Sequence, residues 1–202
     1  MLRALTTLEK ILPIILGGLL MFGFDLTYAA VLTIIAAIIH EAAHLAALFL
    51  IDREKARKME GHLFGIRLRT DNLSYPEELF SASCGPLINI LLGTVCLITR
   101  GSTPFIEYIR AFGAINLATA TTNLLPIEGY DGYRMIRSLL MMKSRSPYLV
   151  DACLYWVSVA LASALCLLSL YFLLKIGEGY WIFTIFFFVL LSLTGKRLKT
   201  TK

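Results

Sequence analysis

The stretch YAAVLTIIAAIIHEAAHLAALFLI occupies residues 28–51, and its only ionisable side chains besides Tyr28 are those of His40, Glu41 and His44. A helix rises about 1.5 Å per residue, so this stretch is long enough to cross the roughly 30 Å hydrocarbon core of a bilayer. Ionisable side chains inside a bilayer are energetically costly unless they are paired or liganded, and they usually mark a functional site. The stretch therefore predicts a transmembrane helix that carries a site.

The composition of the whole chain is that of a membrane protein. Of its 202 residues, 57% are hydrophobic and only 16% are charged, a balance that excludes an ordinary soluble domain. Six apolar runs approach the roughly 20 residues needed for a span, and they cover residues 11–24, 28–51, 79–99, 105–125, 149–174 and 180–193. The sequence predicts an all-α polytopic protein with six transmembrane helices, forming one domain over residues 1–202 without an attached soluble domain.

The basic residues predict the orientation of these spans. All but three of the 19 lysines and arginines fall at the termini or in the gaps that share a side with them, the exceptions being Arg100, Arg110 and Lys175. Because Lys and Arg are retained on the cytoplasmic side, both termini are expected there. The same bias explains the net charge of +5, so we expect no nucleic-acid partner. The compact form suggests a bacterial cytoplasmic membrane.

The pair of histidines predicts a metal site. Positions i and i+4 lie on one face of a helix, so His40 and His44 can offer two imidazole nitrogens to one ion. Glu41, beside the first histidine, can act as a base without being a ligand. In this HExxH arrangement, zinc lowers the pKa of a water molecule towards 7 and polarises a carbonyl.

A catalytic zinc site typically needs a third protein ligand. The depth of His40 in its span favours Asp131, which follows the fourth predicted span in NLLPIEGYDGYR. There Pro126, Gly129 and Gly132 would break the helix and fold the loop back towards the zinc. Asp-Gly is also a common turn dipeptide, so a turn role for Asp131 remains an alternative. The acidic residues in or beside predicted spans are Asp25, Glu41, Asp52, Glu77, Glu78, Glu107, Glu128, Asp131, Asp151 and Glu178.

A short β-structure is expected in the long connection of residues 52–78. Within GHLFGIRLR, residues 61–69, the side chains of Phe64, Ile66 and Leu68 alternate with glycine and arginine. Period-two alternation predicts a strand or a hairpin between the second and third spans.

Three of these segments carry a family resemblance. HEAAH in a membrane helix, CGPLIN at residues 84–89 and NLLPIEGYDG at residues 123–132 resemble, in order and spacing, the signature elements of the site-2 protease family of intramembrane zinc metalloproteases. The resemblance covers residues 28–140. It implies one Zn²⁺ per chain, with His40, His44 and Asp131 as ligands, Glu41 as general acid/base, and Asn89 and Asn123 near the substrate.

The resemblance also implies an activity and a substrate class. Members hydrolyse peptide bonds of membrane-embedded or membrane-associated proteins, usually in regulated proteolysis. Residues 61–69 resemble the family's membrane-dipping β-hairpin. A strand there could pair with an unwound substrate by β-augmentation, which would make Phe64, Ile66 and Leu68 substrate-binding residues.

The six-span layout is most similar to the sporulation-type branch, whose known members cleave a membrane-associated pro-sigma factor. Two positions depart from that branch: Gly129 replaces a proline and Tyr133 replaces a glycine. Since the chain ends at GKRLKTTK, we expect no regulation through the nucleotide-sensing domain that most branch members carry. A regulatory membrane partner is compatible with the sequence.

Alternatives from other classes remain open at this stage. A metal ion transporter also places histidines and carboxylates in the bilayer, but it usually offers ligands along a path through repeated halves. A catalytically inactive homologue would bind membrane partners without cleaving them. Asn123 could simply cap the end of its span, and Asn89 could bond to a neighbouring helix.

Overall fold

The computed structural model of the protein describes residues 27–51, 73–144 and 146–176, together with residues 187, 189–191 and 193. Helices are the only regular elements in these ranges. They are α1 (Thr27–Ile51), α2 (Tyr75–Ile98), α3 (Pro104–Asn123), α4 (Asp131–Lys143) and α5 (Pro147–Ile176). The predicted hairpin at 61–69 and the predicted first span at 11–24 lie outside the described residues, as does most of the predicted sixth span at 180–193.

Three of the described helices are long and apolar enough to cross a membrane. The candidate segments are Val31–Ile51 in α1, Tyr75–Ile98 in α2 and Pro147–Lys175 in α5. Helix α3 coincides with the predicted span at 105–125 but is not among these candidate segments. The chain is therefore an all-helical membrane protein over its described part, whereas the count of six spans stays a prediction.

Local sequence signals explain where the helices begin. At the start of α2, the backbone N–H of Ser74 donates to Oε2 of Glu77 at 2.7 Å, which satisfies a donor that the helix leaves exposed. Pro76 stands in the first turn, and Pro104 opens α3, both positions where a missing N–H costs little. Helix α2 consequently begins at Tyr75 rather than at residue 79, where the apolar run alone would start it.

Helix α2 is the central element of the described bundle. Its most extensive contacts are with α3, α1 and α4, while α4 also packs on α5. Because α1 and α4 both pack against α2, this helix sets the position of residues on α1 relative to residues on α4.

The loop of residues 124–130 folds into the bundle. Its Ile127 side chain is fully buried. From α5, the hydroxyl of Ser158 donates to the carbonyl oxygen of Pro126 at 3.2 Å and accepts from the backbone N–H of Glu128 at 3.0 Å. The side chains that pack around Ile127 include Ala162, Cys166 and Leu193. These contacts hold the loop that precedes α4 against α5.

Helix α4 lies in the connection between the fourth and fifth predicted spans, where the apolar runs predict no helix. Its three basic residues make residues 131–143 too polar to read as a span. The segment is nevertheless helical because it is amphipathic: Met141 is buried against Val150 and Leu154 of α5. An acidic first residue and Lys143 in the last turn also suit the helix dipole.

Candidate metal centre

Three side chains from two helices converge at one buried point. Nε2 of His40 lies 2.9 Å from Oδ2 of Asp131, and Nε2 of His44 lies 3.0 Å from the same oxygen. The two Nε2 atoms are 3.1 Å apart. The residues are only 4%, 3% and 7% exposed, respectively, so water does not separate them from one another. Together they form a group that could hold a metal ion.

The arrangement of the imidazoles follows from helix geometry and from one backbone contact. His40 and His44 are one turn apart on α1, with ring centroids 4.7 Å apart and planes at 81°. Nδ1 of His44 donates to the carbonyl oxygen of Ser81 on α2 at 2.7 Å. That bond fixes the tautomer of a neutral His44, so its Nε2 carries a lone pair directed at the other two ligand atoms.

The direction of this lone pair bears on whether the site can bind a metal ion. Nε2 of a neutral His44 faces Oδ2 of Asp131 at 3.0 Å, and both atoms are acceptors. Two buried acceptors at this distance repel each other unless a proton or a metal cation lies between them. Two imidazole nitrogens and one carboxylate oxygen are a ligand set that zinc takes in catalytic sites. The residues present therefore fit a zinc ion.

Gly85 provides the space beside the ligands. A Cβ atom at this position of α2 would contact Nε2 of His44 and would lie 2.7 Å from Nε2 of His40. Any side chain larger than hydrogen would consequently press on both imidazoles. The glycine of the CGPLIN motif thus has a local steric reason.

The electrostatics at Asp131 favour an anionic ligand. Burial alone would raise the pKa of this carboxyl. When protons lie between the carboxylate and the imidazoles, the hydrogen bonds from His40 and His44 outweigh burial and hold the pKa well below its usual range. The carboxylate's other oxygen, Oδ1, lies 3.4 Å from Nη1 of Arg134. Asp131 is therefore charged, with the imidazoles of His40 and His44 on one side and the guanidinium of Arg134 on the other.

The other predicted site residues occupy more varied positions. Glu41 is exposed on α1, so it is not packed among the three ligand atoms. Asn89 is fully buried on α2, and neither of its amide atoms has a hydrogen-bond partner among the described residues. Asn123 ends α3, and its Nδ2 donates to the carbonyl oxygen of Thr119 in the same helix at 3.0 Å. The candidate substrate-binding residues Phe64, Ile66 and Leu68 lie outside the described residues.

The two departures from the sporulation-type pattern have structural explanations. Gly129 has a φ of +107°, which proline cannot adopt because its ring holds φ near −65°. This loop must therefore follow a different path from one with proline at that position. Tyr133 is half-buried beside the Met141 cluster between α4 and α5, where it adds to the packing.

Four residues around the ligands were not assigned site roles from the sequence. A main-chain carbonyl, as at Ser81, leaves no trace in sequence. The other three offered a weak signal: Gly85 lies within a family motif, Glu78 is an acid at the edge of an apolar run, and Arg134 follows Asp131 by three residues. Ser81 is fully buried and Glu78 is 9% exposed.

Comparisons with known proteins support the fold. No protein-family model matches the chain, and no curated protein matches it either. Among solved structures, the chain is similar to one described as a site-2 protease from Methanocaldococcus jannaschii, with a TM-score of 0.61 and 20% sequence identity. The alignment covers 93% of this chain and 87% of the other. At this identity the likeness establishes a shared fold.

Proposed function

We propose that the protein is an intramembrane zinc metalloendopeptidase of the site-2 protease type. The observation that carries this proposal is the buried convergence of His40, His44 and Asp131, whose ligand atoms lie 2.9–3.1 Å from one another. A second, independent support is the fold shared with a structure described as a site-2 protease. The proposed activity is hydrolysis of peptide bonds in membrane-embedded or membrane-associated proteins, within or near the bilayer.

In this proposal one Zn²⁺ per chain is held by Nε2 of His40, Nε2 of His44 and Oδ2 of Asp131. Zinc, when bound, supplies Lewis-acid chemistry that acidifies water and polarises the scissile carbonyl. The protein contributes the geometry: Ser81 fixes the ring orientation of His44, and Gly85 keeps the volume beside the two imidazoles open.

Glu41 is the proposed general acid/base. It follows His40 directly on α1, and its exposed side chain does not join the buried ligand set. An exposed carboxylate can meet both an attacking water and the substrate. Glu41 would accept a proton from that water and return it to the nitrogen of the leaving amine.

The proposed roles of the two asparagines differ in their support. Asn89 has a buried amide without a partner among the described residues, which suits a group kept for the substrate. The amide of Asn123 already donates to Thr119, an arrangement that fits the end of a span as well as it fits a substrate contact. The structure therefore supports a substrate-binding role for Asn89 more strongly than for Asn123.

Substrate presentation is assigned to the segment around Phe64, Ile66 and Leu68. A transmembrane helix keeps its carbonyls in internal hydrogen bonds, so it must unwind before one of them reaches the site. Strand pairing with this segment would hold the unwound substrate extended. In this proposal the substrate is cleaved in contact with the lipid bilayer. We expect no nucleic-acid partner.

The location follows from the same proposal. With the termini on the cytoplasmic side, cleavage near the cytoplasmic face would release a cytosolic fragment, which suits regulated proteolysis. A membrane partner could restrain the enzyme. None of the comparisons singles out the sporulation-type branch, so the proposal stops at the site-2 protease type.

The first test is zinc content and cleavage by the full chain purified in detergent. We expect about one zinc per wild-type chain and a marked loss in His44→Ala and Asp131→Ala, because each removes a proposed ligand. In proteoliposomes with reporter proteins that each carry one transmembrane helix, wild type should cleave at least one reporter. Glu41→Gln should retain zinc and lose cleavage.

Each contrary result has a distinct meaning. A wild-type chain that takes up no zinc even when zinc is supplied would overturn the proposal. Zinc flux into the vesicles without cleavage would favour a transporter, whereas bound zinc with neither flux nor cleavage would favour an inactive homologue. Undiminished cleavage by Glu41→Gln would remove only the role given to Glu41.

A further inference from the structure

A chain of polar contacts leads away from the metal centre along α4 to α2. Oδ1 of Asp131 lies 3.4 Å from Nη1 of Arg134, and Nε of Arg134 lies 3.7 Å from Oε1 of Glu78. Oε2 of Glu78 accepts a hydrogen bond from the hydroxyl of Ser138 at 3.1 Å. We call Arg134, Glu78 and Ser138 the polar brace. It connects the first turns of α4 to the first turn of α2.

The brace distinguishes the two oxygens of the Asp131 carboxylate. Oδ2 faces the imidazoles at 2.9 and 3.0 Å, whereas Oδ1 faces the guanidinium of Arg134. A carboxylate with one oxygen held by a cation on its far side cannot rotate without losing that contact. Asp131 is therefore oriented to present a single oxygen to the histidines. Removal of a group that orients a ligand in this way typically weakens metal binding about 10–100-fold.

Glu78 restrains Arg134 in turn. The side chains of Glu78 and Arg134 are 11% and 22% exposed, so both charges are largely removed from water. Removing charges from water is costly, and a contact of 3.7 Å returns little stability for that cost. Without Glu78, Asp131 would be the one acidic partner left to Arg134 in this chain of contacts, and the guanidinium would draw its carboxylate away from the histidines.

The same face of α2 supports both types of ligand. Glu78, Ser81 and Gly85 are separated by three and four residues, so they share one side of the helix. Ser81 orients His44 directly, and Glu78 acts on Asp131 through Arg134. Helix α2 thereby sets the histidine side and the aspartate side of the centre from a single rigid element.

We propose that Arg134 and Glu78 are positioning residues that hold Asp131 so that only Oδ2 faces His40 and His44. This inference rests on the metal site of the proposed function and adds residues to it that are not ligands. Neither residue touches the substrate in this proposal. They act on metal affinity and ligand geometry through the carboxylate of Asp131.

The test measures zinc affinity of the metal-free full chain in detergent, by competition with a chromophoric chelator. Arg134→Met and Glu78→Gln should each weaken zinc binding by about 10–100-fold, the range found when groups that orient a ligand are removed. The double variant should lose little more than either single variant, because both act through one carboxylate. Arg134→Lys keeps the charge and should recover part of the affinity.

A spectroscopic measurement separates positioning from general damage to the fold. The visible absorption of bound Co²⁺ depends on the arrangement of its ligands, so Arg134→Met and Glu78→Gln should alter its band positions and intensity. The matched control is Arg137→Met. Arg137 lies on the same helix, and its Nε contacts Oδ1 of Asp151 on α5 at 2.7 Å. That variant should keep wild-type zinc affinity and a wild-type Co²⁺ spectrum.

Two results would overturn the inference. One is wild-type affinity together with an unchanged Co²⁺ spectrum in both Arg134→Met and Glu78→Gln. The other is an equal loss in Arg137→Met, which would attribute the effect to the stability of α4. If Arg134→Met does not fold, Glu78→Gln and Arg134→Lys decide by the same criteria. A wild-type chain that binds zinc while the variants are unaffected refutes this inference alone, whereas a wild-type chain that binds none refutes the proposed function.

Discussion

Nδ1 of His44 donates its hydrogen to the main-chain carbonyl oxygen of Ser81 across 2.7 Å. The bond joins a metal-ligand candidate on α1 to the backbone of α2, and no side-chain substitution at residue 81 can remove a carbonyl. It leaves Nε2 of a neutral His44 as an acceptor that faces His40 and Asp131. The backbone of the neighbouring helix thus leaves this nitrogen of a neutral His44 available as a metal ligand.

Gly85→Ala should weaken zinc binding at least about tenfold, comparable to the loss of a group that orients a ligand. The added methyl would contact Nε2 of His44 and lie 2.7 Å from Nε2 of His40, so the imidazoles must move. Chelator competition on the purified chain measures the change.

Gly93→Ala is the control for that prediction. It adds the same methyl to α2 but presses on the side chain of Leu117 and on the carbonyl oxygen of Gly113, both on α3. We expect a lower thermal unfolding midpoint with unchanged zinc affinity. Equal zinc affinities in wild type and Gly85→Ala would show that the imidazoles can yield without loss of the site.

Asn89→Leu should raise the thermal unfolding midpoint while it lowers cleavage. The buried amide of Asn89 has no hydrogen-bond partner among the described residues, and a buried unsatisfied polar group costs about 1–3 kcal/mol. Leucine has a similar shape without that cost. Thermal unfolding and reporter cleavage on the same preparation measure both effects. A lower midpoint would instead indicate that the amide stabilises the fold through a partner.

Proline substitutions along residues 64–68 should affect cleavage in an alternating pattern. Alternate residues of an edge strand direct their N–H groups towards an added strand, and proline has no N–H to donate. Proline at one of the two sets, Phe64, Ile66 and Leu68 or Gly65 and Arg67, should reduce cleavage more than proline at the other. Zinc content serves as the control and should not change. A uniform effect at all five positions would argue against strand pairing.

Asp151→Asn should cost at most about 1 kcal/mol of stability, the usual range for partly exposed ion pairs. Nε of Arg137 donates to Asp151 at 2.7 Å, but the Asp151 side chain is 46% exposed, so solvent screens the pair. The hydrogen bond from Arg137 raises the pKa of that guanidinium, which therefore stays charged at any working pH. Unfolding midpoints at low and high salt should converge for wild type and variant. A loss of zinc here would reveal coupling between α5 and the metal centre.

Sequence patterns were sufficient for the parts of the molecule that depend on periodicity. The spacing of His40 and His44 places them on one helical face, and the apolar run around them yields the bounds of α1 almost to the residue. Asp131 could be selected from ten acidic candidates by its depth and by the family motif. Each of these inferences depends on signals within a few residues of the site.

The remaining features depend on contacts between distant segments. The hydrogen bond from His44 to Ser81 and the ion pair between Arg134 and Glu78 join residues on different helices, and neither follows from a local pattern. Hydropathy alone did not predict helix α4, because its three basic residues make the segment too polar for a membrane span. Its helical structure depends on burial of Met141 against α5, which only packing reveals.

The hydrogen bond between His40 and Asp131 connects positions 91 residues apart along the chain. During synthesis the helix that carries the histidines is therefore made long before the aspartate exists. A growing chain cannot complete the ligand set until α4 has been translated and has packed on α2. In a peptidase of the proposed kind, this order keeps the unfinished enzyme chemically inert while it lies among other newly inserted membrane proteins.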